Sequence, residues 1–239
     1  MALYIFSDAH LGATSRGDEP EKLEKIIQLF ELVKADADRL IILGDLFDFW
    51  FEYKHAIPKD HHKVLFMLTD LIERGIEIDY VMGNHDFWMD DFFEKQIGIR
   101  MHPEEFEFEY DGKQLHLIHG DGLAPGDRGY RFLKRILRNR FNIWLYRKLP
   151  PDWAIPLAKA VSGSSQNYTA GRDKAFAADY AAYAERKLAN GFDIVAVGHL
   201  HLPTLTHFDN GIYVNTGEFI KSFSYVKLSG GELTLEYLK

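Results

Sequence analysis

The chain has 239 residues, 46% hydrophobic and 27% charged, an ordinary globular composition with room for one large domain or two small ones. Cysteine is absent, which excludes disulfides, thiolate metal sites and thiol nucleophiles, so any metal is held by nitrogen and oxygen, for which 11 histidines are available. The net charge of -8 argues against a general nucleic-acid binder.

The N-terminus, MALYIFSDAH, reaches an acidic residue too soon for a signal peptide. No run approaches the roughly 18 apolar residues of a membrane span. The expectation is a soluble, cytoplasmic chain.

In chain order, Leu3–Phe6 reads as a strand, Glu21–Lys34 as a helix and Leu40–Leu43 as a strand. His62–Arg74 is again helical and Ile78–Met82 again a strand. Short apolar runs separated by amphipathic helices indicate βαβ units and a largely parallel sheet covered on both faces. Then the period changes, with Glu107–Tyr110 and Gln114–Ile118 flanking Asp111-Gly112 as a hairpin. Helical patterns fill 129–148, 152–161 and 173–190, and Ile194–Val197 is a strand. Asp209-Asn210-Gly211 and Ser229-Gly230-Gly231 mark two further hairpins. The pattern predicts a single α/β domain over 1–239, a sandwich of mixed sheets carrying residues 122–170 as an inserted helical cap.

Five apolar strands each run into polar, chemically capable residues. Asp8 and His10 follow the first, Asp45 and Asp48 the second, and Asn84-His85-Asp86 the third. His119-Gly120-Asp121 and His199 with His201 follow the last two. Open α/β sheets bind ligands at the carboxyl ends of their strands, so these residues are expected to share one crevice. Each motif alone is a common turn or cap; the ordered set points to a two-metal site. Asp8 and His10 are two apart, so an irregular turn must aim both at one ion, and His199 and His201 behave similarly. Asp45 can bridge through two carboxylate oxygens, Asn84 supplies an amide oxygen and His119 an imidazole. Carboxylate and imidazole without sulfur suit Mn²⁺, Fe or Zn²⁺, and such pairs hydrolyse phosphate esters.

These motifs resemble those of the calcineurin-like metallophosphoesterase superfamily over nearly the whole chain. The resemblance implies a four-layer α/β/β/α sandwich. It implies one metal on Asp8, His10, Asp45 and His201, and another on Asp45, Asn84, His119 and His199. It also implies that His85 contacts phosphate or protonates the leaving group, that Asp86 orients His85, and that Asp48 and Asp121 support the ligands. Leu43–Trp50, Gly83–Trp88 and His119-Gly120-Asp121 with Asp127 and Tyr130 further resemble UDP-2,3-diacylglucosamine hydrolases of lipid A biosynthesis. Those enzymes use a manganese pair at the cytoplasmic face of the inner membrane to release UMP and 2,3-diacylglucosamine 1-phosphate. The implied substrate contacts are Asn84, His85, Asp127 and His199. At His85 the chain departs from the Arg of well-known members, and Ser162–Tyr168 matches the insertion's substrate contacts in chemistry without a fixed register. The alternative is a metallophosphoesterase acting on nucleotides or another small phosphoester. A non-catalytic scaffold would have lost ligands, and all seven positions are filled.

From Arg128 to Lys148 the chain carries eight basic residues and no acidic one, leaving -16 on the remainder. On one continuous helix, Tyr130, Leu133, Leu137, Phe141 and Trp144 share a face, with Arg131, Lys134, Arg135 and Arg138 on a neighbouring arc. Such a helix suits an anionic membrane surface, or else packs on the core with a solvated basic face. The expected partners are a lipid-linked nucleotide sugar and that surface, without nucleic acid or an obligate protein partner. The six remaining histidines (His55, His61, His62, His102, His116 and His207) are expected to be superficial or structural.

Overall fold

The computed structural model describes residues 1–13, 17–158 and 173–239. The strands are β1 (Ala2–Phe6), β2 (Ala37–Ile42), β3 (Glu77–Val81), β4 (Arg100–His102), β5 (Glu105–Tyr110), β6 (Lys113–Ile118), β7 (Ile194–Val197), β8 (Thr204–Phe208), β9 (Gly211–Asn215), β10 (Ser224–Ser229) and β11 (Glu232–Tyr237). The helices are α1 (Glu19–Asp36), α2 (His62–Glu73), α3 (Arg128–Leu137), α4 (Arg140–Tyr146), a helical stretch α5 over 151–158, and α6 (Asp173–Ala189).

Every residue of β1 is buried, as expected for a strand covered on both faces. The two-residue pleat sends its side chains into different cores. Tyr4 and Phe6 join Ile26, Leu29, Phe30 and Val33 of α1 and Val64, Leu68 and Leu71 of α2. Leu3 and Ile5 pack toward Leu115, Leu117, Ile194, Ala196 and Val214 of the second sheet. On the far side, Tyr180, Ala184 and Leu188 of α6 cover Val195, Val197 and Tyr213. The result is the expected four-layer α/β/β/α sandwich of mixed sheets.

The first sheet runs β11-β10-β1-β2-β3-β4 and the second β5-β6-β7-β9-β8. β1 to β4 are parallel, as are β6, β7 and β9. The carboxyl ends of β1, β2 and β3 therefore fall together, as do those of β6 and β7. All three predicted hairpins form. At the first, Asp111 (φ 52°) and Gly112 (φ 72°) are both left-handed, the backbone that a two-residue hairpin turn needs.

The continuous helix expected over 129–148 is instead two. Arg138 leaves helical geometry and Asn139 turns extended, its side chain accepting from Phe141 N at 2.9 Å. Asparagine competes with helix interior geometry and favours this capping position. The proposed apolar stripe is broken there: Tyr130 is partly buried, whereas Phe141 and Trp144 are 65% and 53% exposed. Of the helix expected over 152–161, residues up to 158 are helical. The remainder of that helix and of the proposed cap lies outside the described residues.

At the β2–β3–β4 end, fully buried Asp79 accepts from Arg39 Nε at 2.9 Å and Arg100 Nε at 2.9 Å, with His102 Nε2 at 2.8 Å. Arg39 also lies over the Phe108 ring of the second sheet, 4.2 Å from its centroid. Burial alone would raise the Asp79 pKa, but the cations around it pull it down to about 2. Asp79→Asn is expected to cost about 1–3 kcal/mol, because it removes the buried charged acceptor of two arginines and leaves them the exposed Glu77; urea unfolding measures this. The depressed pKa makes the carboxylate's contribution complete above the unfolded value of 3.8 and lost as pH falls through about 2. A variant matching the wild type at pH 7 would contradict this assignment.

Candidate metal centre

The strand-end loops owe their shape to unusual backbone. Asp8 (φ 56°), His10 (φ 44°), Asp45 (φ 54°), His199 (φ 67°) and His201 (φ 51°) are all left-handed. That region costs a non-glycine residue roughly 1–2 kcal/mol, and such residues cluster at functional sites. Backbone bonds between loops hold them there: Asp8 N to Gly44 O at 3.1 Å, His10 N to Asp45 O at 2.9 Å and Leu11 N to Leu46 O at 2.9 Å. Across the sheets, Gly198 N donates to His119 O at 3.0 Å.

The loops bring all seven residues that the sequence singled out as metal ligands into two adjoining groups. Asp8, His10 and His201 form one, and Asp45, His119 and His199 the other. Asp8 Oδ1 lies 3.2 Å from His201 Nε2 and 3.7 Å from His10 Nε2. Asn84 Oδ1 is 3.1 Å from His119 Nε2. Asp45 joins the groups, its Oδ2 lying 3.6 Å from His10 Nε2 and 3.5 Å from His119 Nε2.

Further features suit this donor set to cations. His119 Nδ1 lies 2.8 Å from the carbonyl of Leu43; donation there fixes the tautomer and leaves Nε2 as a lone-pair donor. The Nε2 atoms of His10 and His201 approach to 3.4 Å, a spacing that a shared cation or proton makes favourable. Gly83 leaves space beside Asp45, since a Cβ there would overlap the carboxylate.

His85 donates its backbone N–H to Asp45 Oδ1 at 2.8 Å. Its Nδ1 lies 3.0 Å from the carbonyl of Asp48 and 3.5 Å from Asp48 Oδ1, which is also 3.5 Å from His10 Nδ1. Asp48 is thus placed to orient both rings, the part expected of Asp86 for His85. Both Asp86 oxygens are otherwise engaged. One accepts from the amides of Gly83 (3.0 Å) and Asp45 (3.3 Å), and the other from the amide of Phe47 (3.3 Å) and the Tyr80 hydroxyl. Asp86 therefore ties the Asp45 loop to the Asn84 loop. Asp127 is buried at the N-cap position of α3.

Charge in this pocket is strongly coupled. Burial would raise the Asp8 pKa, yet His10 and His201 hold it well below the usual carboxylate range. Burial and repulsion from Asp45 push Asp86 up to about 6. Burial and the neighbouring His119 cation push His199 down to about 4. For His119 burial works the same way, but Asp45 overcomes it and raises the imidazole to about 10. The raised pKa favours the protonated imidazole of His119 and so places positive charge beside Asp45.

The basic arc is directed differently from the expectation. Arg131 donates to the carbonyls of Ala124 (2.6 Å) and Pro125 (2.8 Å). Lys134 pairs with Asp121 at 2.9 Å, and Tyr130 donates to the same carboxylate at 2.7 Å. Arg138 reaches Glu104 at 2.7 Å and the Gly83 carbonyl at 3.2 Å, while Trp88 Nε1 donates to Leu137 O at 3.0 Å. Three of the four arc residues therefore fasten α3 to the loops of Asn84 and His119. Arg135 is exposed, as are Arg128, Arg140 and Lys148. Ser162–Tyr168 lies outside the described residues.

Outside the centre, His102 serves Asp79, buried His61 packs on Phe47 and Trp50, and His116 bonds Glu107 and Tyr183. His55, His62 and His207 are exposed. Sequence reasoning missed Lys22, whose ammonium reaches the His10 carbonyl. The available signal was a lysine on the apolar stripe of α1.

A calcineurin-like phosphoesterase family model matches residues 1–203. The UDP-2,3-diacylglucosamine hydrolase of Porphyromonas gingivalis is 28% identical over 255 residues, covering 99% of this chain and 97% of that one. The enzyme of the same name from Aeromonas salmonicida is 28% identical over 241 residues, covering 99% and 93%. That from Haemophilus influenzae is 26% identical over 229 residues, covering 93% and 92%.

A cation entering this pocket must displace the His119 proton, since only the neutral imidazole ligates. With the pKa raised to about 10, manganese uptake near neutral pH is expected to release a proton and to tighten as pH rises. A one-proton release corresponds to about tenfold in affinity per pH unit. Calorimetric titration in two buffers of different ionisation enthalpy measures it; an affinity independent of pH between about 6 and 8 would contradict it.

Proposed function

The chain belongs to the calcineurin-like phosphoesterase family, and from that premise we propose that it hydrolyses the pyrophosphate bond of UDP-2,3-diacylglucosamine, giving UMP and 2,3-diacylglucosamine 1-phosphate. One observation carries the chemistry: the Asp45 carboxylate shared between two histidine–carboxylate groups. The substrate follows from relatives of that name that align with nearly the whole chain.

In this reading Asp8, His10, Asp45 and His201 hold one divalent ion, and Asp45, Asn84, His119 and His199 the other, with manganese the expected metal and Fe or Zn²⁺ the alternatives. Such a pair supplies an activated water and neutralises charge on the phosphate oxygens. The protein's own part is positional. Parallel strands set the ligand loops side by side, and Asp86 holds the two loops that flank Asp45. His85, oriented by Asp48, contacts a phosphate oxygen or donates a proton to the departing phosphate. Asn84 and His199 face the same phosphate, and Asp127 lies at the cap side of the substrate.

In this reading residues 122–170 act as the cap, whose described part is set beside the centre by the α3 contacts. Its described part leaves Phe132, Phe141, Trp144, Leu145 and Trp153 between 53% and 75% exposed, with Arg128, Arg135, Arg140 and Lys148 also exposed. That surface suits the acylated substrate and an anionic leaflet, consistent with a peripheral place on the inner face of the inner membrane. Among the described residues no helix is long and apolar enough to cross a membrane.

The direct test is turnover of UDP-2,3-diacylglucosamine by the manganese-loaded protein against a panel of nucleotides and simple phosphodiesters. Preference for the acylated substrate is expected; preference for a small phosphodiester would favour the nucleotide reading. On the preferred substrate, His85→Ala should lower kcat by about 10²-fold with both metals retained, and loss of a metal by elemental analysis would make His85 a ligand. Changing Trp144 and Leu145 to Glu should weaken binding to anionic vesicles and slow turnover of the acylated substrate more than of unacylated UDP-glucosamine. Equal losses on both substrates would leave these side chains a structural role only.

A further inference from the structure

Lys22 lies on the apolar stripe of α1 with Ile26, Leu29, Phe30 and Val33, and is fully buried. Lysine is rarely found so, because taking an ammonium out of water is costly without compensation. Here its Nζ donates to the carbonyl of His10 at 2.8 Å and pairs with Glu19 Oε2 at 2.7 Å. The other Glu19 oxygen accepts the amide of Gly12 at 2.8 Å. The pair thus grips both ends of the short stretch from His10 to Gly12, whose end residues are left-handed at φ 44° and 89°.

We propose that buried Lys22, with the partly exposed Glu19 as its counter-ion, is a positioning device for one metal position, fixing the His10 backbone so that its Nε2 faces Asp8, Asp45 and His201. The proposal rests on the two-metal reading above. A methionine in the same slot would pack on α1 without the desolvation cost, so the pair's contribution is geometry rather than net stability. His10 holds a left-handed backbone that is unfavourable by itself, and the Lys22 ammonium on its carbonyl opposes relaxation of that conformation. Among the described residues, the side-chain hydrogen bonds of Lys22 and Glu19 go to His10 and Gly12, on the β1 loop. The other position draws Asn84, His119 and His199 from the β3, β6 and β7 loops. The expected effect is therefore selective for one ion of the two.

The test compares full-length wild type, Lys22→Met and Glu19→Gln after manganese loading, by electron paramagnetic resonance and elemental analysis. Wild type is expected to show two coupled ions per chain. Lys22→Met should retain one ion, replace the coupled spectrum with that of an isolated ion, and weaken the second by about 10- to 100-fold, the usual effect of removing a partner that orients a ligand. Glu19→Gln keeps an acceptor for Gly12 at a partly exposed position, so it guards against a misfolded lysine variant; it should weaken the same ion by a smaller factor. Two coupled ions at wild-type affinity in folded variants would overturn the proposal. So would equal weakening of both ions with a lowered Tm, the behaviour of a merely structural lysine. A wild-type chain that binds no metal pair would instead refute the two-metal reading, a result visible before either variant is compared.

Discussion

The structure depends on left-handed backbone at the ends of parallel strands. An extended strand that continued straight would hold Asp8 and His10 on one face but about 6.6 Å apart along the strand, too far to share one small site. The left-handed φ at Asp8, His10 and Asp45 folds the backbone back on itself and turns the side chains toward one another. Such backbone is unfavourable by itself. It persists because the loops share hydrogen bonds, because Asp86 accepts four of them from neighbouring segments, and because the sandwich on either side fixes the strands that feed the loops.

This arrangement explains why carboxylates recur among the groups around the centre. Asp8 and Asp45 face the imidazole rings of His10, His119 and His201. Asp48 and Asp86 lie behind them, one toward imidazole rings and the other toward backbone amides. Asp86, beside the Asp45 charge, is raised to about 6, whereas Asp8, beside histidines, is depressed. Similar burial yields opposite shifts because the neighbours differ in sign.

Much of this was legible in the sequence because the signals were local. Apolar runs ending in Gly-Asp, Gly-Asn-His-Asp or Gly-His mark strands and the loops that leave them. Asp111-Gly112 specifies a turn with its own backbone preference. The β4 strand was not legible: three residues show no period, and β4 exists by pairing with β3. Nor was the break between α3 and α4, where a single asparagine as cap outweighed an apolar spacing continuous on paper. Asp48 and Asp86 illustrate the limit at the centre. The family resemblance implied that Asp86 orients His85, but the loop turns Asp86 inward to amides and brings Asp48 from another strand end. Lys22 was hidden for the same reason, since its partner is a carbonyl that no residue type advertises.

The basic segment shows how charge counting and geometry divide a surface. Eight positive charges against an otherwise acidic chain invite one explanation, but the side chains serve two purposes. Lys134 and Arg138 meet Asp121 and Glu104, and Arg131 satisfies loop carbonyls. These contacts hold α3 against the loops of His119 and Asn84, where a floating helix could not define one side of a binding cleft. Among the described residues, the outward Arg128, Arg135, Arg140 and Lys148 take no part in that fastening and share their surface with Phe132, Phe141 and Trp144. Aromatic rings interleaved with cations make this an amphipathic surface, and Lys148 itself lies over the Trp144 ring, 5.2 Å from its centroid. The segment is thus divided between side chains that hold α3 beside the centre and side chains that give its outer face a basic, aromatic character, a division that a count of charges along the sequence does not reveal.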